Sequence, residues 1–153
     1  MPARIVTIDD VFSVYPDMVV HPVNCTSVCK DVFSKQLKRT SPEYFRHYTR
    51  AVLRHQLKPG MPEVFEHGAL FGTRHLVILP VKNHWKDALL PPLVKECLAR
   101  LAETLTHTRP LTLAMPDLAG PPAGWLAAQF EKMGPDLPFD LSVYLWRDAV
   151  DAV

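Results

Sequence analysis

Leu76-Val77-Ile78-Leu79-Pro80-Val81-Lys82 is the stretch on which the fold turns. Its first four residues are a continuous apolar run without the polar alternation of a half-solvated strand, a pattern that belongs to strands covered on both faces of a parallel sheet. Parallel neighbours need long crossovers, usually helical, and the flanking sequence supplies them. From Pro91 to about Thr106, Val94, Cys97, Leu98, Leu101 and Leu105 form one apolar stripe, while Lys95, Glu96, Arg100 and Glu103 face away. Upstream, Ser41-Pro42-Glu43 reads as an N-cap, a first-turn proline and an acid at the positive end of a helix carrying Phe45, Tyr48 and Val52. That helix is expected to stop near Lys58-Pro59-Gly60.

The pattern continues outward in both directions. A short amphipathic helix is expected from about Asp31 to Lys38, with Phe33 and Leu37 on one face, and another from Pro122 to Met133, with Gly134 placed to cap its end. Short strands are expected at Ile5 to Ile8, at Met18 to Asn24 with Pro22 inside it, at Leu111 to Met115 and at Asp140 to Trp146; Val64-Phe65 is a weaker one. Strands alternating with helices argue for an α/β fold with a mixed, mostly parallel sheet and helices on both faces.

At 153 residues, with no internal repeat and no long linker, residues 1–153 read as a single domain. An apolar fraction of 48% and a charged fraction of 22% exclude disordered and collagen-like classes. The chain has fifteen prolines but only six glycines, and the scarcity of glycine bears on the loops discussed below. Seventeen Lys and Arg against sixteen Asp and Glu give a net charge of +1, which gives no reason to expect avid non-specific binding to a nucleic-acid backbone but leaves room for a local basic patch. No apolar run approaches the roughly 20 residues that span a bilayer, and the first ten residues lack the pattern of a secretory signal, so a cytoplasmic location without membrane contact is expected. Cys25, Cys29 and Cys97 are an odd number in a chain long enough to fold without cross-links, which fits reduced thiols.

Ligands of open α/β sheets bind beyond the carboxyl ends of the strands. That rule selects His21 to Ser27, Pro80 to Lys86, and Met115 to Gly120. His21, Cys25 and Cys29, spaced four and four, raise a zinc reading, but the segment leaves a strand and turns, no fourth ligand follows and paired C-x-x-C knuckles are absent; no metal is expected. Lys30, Lys35, Lys38 and Arg39 form a basic helix face that is either solvated or set against a phosphate backbone.

The run Pro80-Val81-Lys82-Asn83-His84-Trp85-Lys86 resembles the P-T-K-x-H-W-R segment of macrodomains of the DarG type, the DNA ADP-ribosyl glycohydrolase antitoxins, whose relatives include the terminal ADP-ribose glycohydrolase. Val23-Asn24-Cys25 is similar to the family's V-N-C, Lys58-Pro59-Gly60 to its R-P-G, and Asp10-Val11-Phe12 to the G-D-[LI]-[FL] after its first strand. The resemblance implies an ADP-ribose pocket on a three-layer α/β/α sandwich, with no cofactor. Asp10 would accept from the adenine amino group, and Asn24 would hold the distal ribose. Lys82 matches the lysine that attacks the anomeric carbon of that ribose, a role open to an amine desolvated at the end of a buried strand. Thr26, Lys30, Pro116, Leu118 and Gly120 fall on the other ligand-binding segments. The implied partner is ADP-ribose or an ADP-ribosylated macromolecule, DNA given the subfamily, with a DarT-like toxin as a further partner.

Two departures divide the functional readings. Thr26-Ser27-Val28-Cys29-Lys30-Asp31 has no glycine where the family carries V-G-x-M-G-K-G, and Pro116 to Gly124 replaces its P-P-L-G-C-G-x-G-G-L loop. Glycines let such loops aim backbone N–H groups at a diphosphate, whereas Pro121 and Pro122 have none to offer. The second catalytic position of the glycohydrolase relative has no counterpart; Asp117 is the nearest carboxylate but aligns with a proline. Hydrolysis of ADP-ribose from a macromolecule, binding of ADP-ribose without turnover, and a pseudoenzyme shell reused for contact with a protein partner all remain open, and Asn24 could equally cap its own turn.

Overall fold

The computed structural model describes residues 3–9, 14–67 and 73–150. The apolar run lies in β4 (His75–Lys82), which is buried from Leu76 to its end. Around it the chain order is β1 (Ala3–Ile8), β2 (Met18–Asn24), α1 (Val32–Thr40), α2 (Pro42–Leu53), β3 (Glu63–Glu66), β4, α3 (Pro91–Thr108), β5 (Thr112–Leu118), α4 (Trp125–Met133), a 3-10 turn (Gly134–Asp136) and β6 (Leu141–Val150). The six strands form one sheet in the order β1-β6-β5-β2-β4-β3, parallel throughout except for β3 on β4.

β2, β4 and β5 are covered on both faces. On one face, His21 of β2 meets Phe33 of α1 and Tyr44, Phe45 and Tyr48 of α2, with ring centroids 5.7–6.0 Å apart. On the other, α3 packs along β4 and α4 against β1, and the Cys97 thiol donates to the Pro80 carbonyl. Among the described residues no helix is long and apolar enough to cross a membrane.

Differences from the sequence reading have local causes. α2 ends at Leu53, short of Lys58-Pro59-Gly60, because His55 takes a left-handed conformation (φ 55°) and Gln56 N–H returns to the Ala51 carbonyl. A histidine in a position usually filled by glycine carries no sequence signal for that stop. Gly60 instead docks its N–H on the Pro80 carbonyl at 2.9 Å. β5 runs three residues past Met115, so Pro116 and Leu118 lie in a strand, beside Trp146 and Val150 of β6.

Gly134 does not end α4 in the left-handed region; its φ of −50° continues into the 3-10 turn. Its lack of a side chain serves a close approach, since a Cβ there would strike the backbone nitrogen of Ala3 and come within 2.9 Å of the Ala3 Cβ. Gly134→Ala must therefore push α4 away from β1, at a cost of about 1–3 kcal/mol measurable by urea denaturation. An unchanged urea midpoint would contradict this packing.

At the amino ends of the strands, Asp17 ties three of them together. Its carboxylate accepts from Leu111 N–H (2.9 Å) and Thr112 N–H (3.3 Å), its N–H donates to the Thr112 hydroxyl (2.8 Å), and its carbonyl accepts from Arg74 and His75. Asp17→Ala is expected to cost about 1–2 kcal/mol by leaving two amides without this acceptor, with Asp17→Asn recovering part of the loss in the same denaturation assay.

Candidate functional site

The connections set where a ligand can enter. From β2 the chain moves to β4 through α1, α2 and β3, and from β4 it crosses back over β2 to β5 through α3. The sheet thus switches direction between β2 and β5, the place where open α/β sheets bind ligands. Pairing of these two strands is confined to Met18↔Leu113 and Val19↔Ala114. Pro22 has no N–H with which to extend the ladder.

Because β2, β4 and β5 run parallel, their following loops open on one edge, as the sequence reading expects. Asn24 and Lys82 are register partners on adjacent strand ends, after an irregularity between Val23 and Asn24. Both are buried, at 0% and 2% exposure. The pairing continues one step into the loops, where Cys25 N–H donates to the Asn83 carbonyl at 2.9 Å.

Each of these two side chains also holds its own loop. Asn24 Oδ1 accepts from the Thr26 N–H (2.9 Å) and hydroxyl (2.7 Å), and Nδ2 donates to the Val28 carbonyl (2.8 Å). Lys82 Nζ donates to the carbonyls of Trp85 and Asp87, both at 3.0 Å. Ser27 has φ 58°, so the loop makes with serine a left-handed turn of the kind that glycine adopts at no steric cost.

Trp85 connects the two loops. Lys30 Nζ lies 4.2 Å from its ring centroid and Lys86 Nζ 5.2 Å, with the His84 ring stacked at 5.8 Å. Gly120, at φ 104°, brings the β5 loop against Leu89, its missing Cβ 3.5 Å from that residue's Cβ. Thr26, Lys30, Lys82 and Asn24 are therefore brought together, Gly120 lies exposed in the β5 loop against Leu89, and Pro116 and Leu118 are buried in β5 itself. Asp10 lies outside the described residues. The Asp117 carboxylate accepts from the next residue's N–H at 2.8 Å.

Burial disfavours the thiolate form of all three cysteines. Burial pushes the Cys29 and Cys97 pKa values up to about 11 and raises that of Cys25. His21 is fully buried, with Nδ1 2.8 Å from the Tyr44 hydroxyl and Nε2 2.7 Å from Ser34 Oγ. Ser34 gives its only hydroxyl proton to Asp31 Oδ1 at 2.8 Å, so its oxygen must accept from His21 Nε2–H, which leaves Nδ1 to accept from Tyr44. Both ring nitrogens of His21 are thus occupied. Sequence reading weighs this histidine only as a metal ligand and misses its buried hydrogen-bond chain.

No protein-family model matches the chain. The DNA ADP-ribosyl glycohydrolase of Mycobacterium tuberculosis is 32% identical over 108 residues, 71% of this chain and 29% of that protein. Its namesake from Thermus aquaticus is 28% identical over 102 residues, 67% of this chain and 28% of that protein. The chain thus spans less than a third of the length of these relatives. Among solved structures, the macrodomain of Thermus aquaticus DarG has a TM-score of 0.81 at 21% identity, covering 95% of this chain and 99% of that one. The macrodomain of Mycobacterium tuberculosis DarG gives 0.77 at 25%, covering 93% and 96%. The structure of Thermosipho africanus DarTG in complex with ADP-ribose gives 0.78 at 17%, covering 93% and 41%. The three-layer architecture expected from the resemblance is the one observed, and the chain is a macrodomain related to the DarG DNA ADP-ribosyl glycohydrolases.

Proposed function

We propose that this macrodomain recognises ADP-ribose and removes it from a macromolecule, with DNA as the carrier. The observation that carries the proposal is the pairing of Asn24 with Lys82 on adjacent strand ends at the open edge of the sheet. A ribose seated there lies within reach of an amide that can orient its hydroxyls and an amine that can attack its anomeric carbon. The amine must be neutral to react; its lone pair forms the bond to the anomeric carbon as the bond to the carrier breaks, the carrier leaves with that electron pair and takes up the proton the lysine nitrogen sheds, and water later adds to the anomeric carbon and returns the lysine as free amine. The choice of DNA follows the relatives, which are named DNA ADP-ribosyl glycohydrolases.

A second reading, ADP-ribose binding without turnover, is favoured by the hydrogen bonds already held by the two side chains. Asn24 is engaged with Thr26 and Val28, and Lys82 with the Trp85 and Asp87 carbonyls, so each must exchange partners to serve a sugar. Calorimetry with ADP-ribose and a release assay on an ADP-ribosylated single-stranded oligonucleotide separate the two. Binding with release supports the hydrolase; binding without release supports the reader; absence of both overturns the nucleotide reading.

A further inference from the structure

The net charge of +1 conceals a strongly uneven distribution. Between Lys30 and Lys58 the chain carries eight Lys and Arg against two carboxylates, while the remainder carries nine against fourteen. All eight cations of the first segment are exposed. Its two acids are Asp31, which caps α1 by accepting from Ser34, and Glu43, on the first turn of α2. Nearby Glu63 is paired with His47 at 3.0 Å. Arg100 is paired with Glu96 on α3, away from this segment.

The packing of α1 on α2 gathers part of this charge into a groove. Pro42, Phe45, Arg46, Thr49 and Arg50 recur at helical spacing along one stripe of α2. With Lys38 of α1 and Ser27 of the β2 loop they line a cavity of about 590 Å³. Lys38 Nζ lies 5.7 Å from the centroid of the Phe45 ring. Arg46 and Arg50 also border an adjoining hollow of about 370 Å³ with Glu43, His47 and Phe65. Ser27 belongs to the loop held by Asn24, so the groove and the candidate sugar site share that loop.

We propose that this groove is a docking surface for the phosphodiester backbone of a single DNA strand. The proposal builds on the functional reading above for the identity of the polyanion. Its basis is charge complementarity: a row of exposed guanidinium and ammonium groups with few acids among them matches a repeating phosphate, and phosphate contacts fix the register of a strand without reading its sequence. A strand seated there would place a DNA-linked ADP-ribose at the neighbouring loop.

The test is fluorescence anisotropy with an unmodified single-stranded oligonucleotide across a salt series, on the whole chain and on Arg46→Ala/Arg50→Ala. Wild type should bind with log affinity falling linearly in log salt. The double variant should lose roughly tenfold in affinity, and about 1.4 units of that slope, about 0.7 for each lost contact to a single strand. Lys95→Ala/Lys132→Ala, on the α3–α4 side, should bind as wild type does. Melting temperature and calorimetric ADP-ribose affinity should not change in the groove variant, which separates failure here from failure of the sugar site. No oligonucleotide binding by wild type, equal binding by the groove variant, or equal salt-sensitive binding of poly-glutamate would overturn the proposal. A parallel loss of free ADP-ribose affinity would also overturn it, by assigning the groove to the nucleotide site.

Discussion

Lys82→Ala is expected to lower ADP-ribose release from an ADP-ribosylated oligonucleotide by on the order of 10³-fold or more, the scale on which removal of an attacking group is felt. Lys82 also ties together the turn that carries Trp85 and Asp87, so loss of rate alone would not separate chemistry from loop order. ADP-ribose calorimetry on the same variant provides the separation. Retained affinity with lost release identifies an attacking amine; joint loss identifies a loop tether and leaves the hydrolase reading without its nucleophile. Release at the wild-type rate would remove Lys82 from the reaction altogether.

The second large effect concerns pH. Burial holds the His21 pKa at about 3, against an ordinary value of 6.5. The unfolded chain therefore takes up a proton as pH falls below about 6.5 while the folded chain does not. Stability contributed by the neutral ring is complete above 6.5 and declines from there toward pH 3, at about 1.4 kcal/mol per pH unit. Between pH 6.5 and 5 that amounts to about 2 kcal/mol, before most carboxylates titrate. Urea midpoints measured across this range should fall steeply for the wild type. In His21→Gln the starting stability should be lower, because the Tyr44 and Ser34 contacts are disturbed, but the slope should be shallower. An equal slope in both proteins would mean that the buried ring does not set the acid limit.

Much of the fold was legible because burial writes itself into local pattern. The unbroken apolar run of β4 and the stripe of α3 named their environments directly, and Met18–Asn24 was bounded to the residue. What escaped was conformation without its customary residue: His55 and Ser27 take left-handed backbone angles that glycine usually marks. Gly134 misled in the opposite way, since its role is proximity to Ala3 and not the end of a helix. In the site, motif resemblance singled out Asn24 and Lys82, but no local pattern could give their register, which depends on pairing between distant segments. Arg46 and Arg50 look, in one dimension, like any solvated helix face; only the docking of α1 on α2 converts them into the wall of a groove.

The Asp17 clamp sits at the rim of the sheet away from the ligand loops, and this gives the two rims separate duties. Because Asp17 anchors β2, β4 and β5 at the rim opposite the candidate sugar loops, those loops can be altered without touching this anchorage. A glycine-bearing turn transplanted into positions 26–30 should change what the protein grips while leaving its resistance to denaturant largely intact.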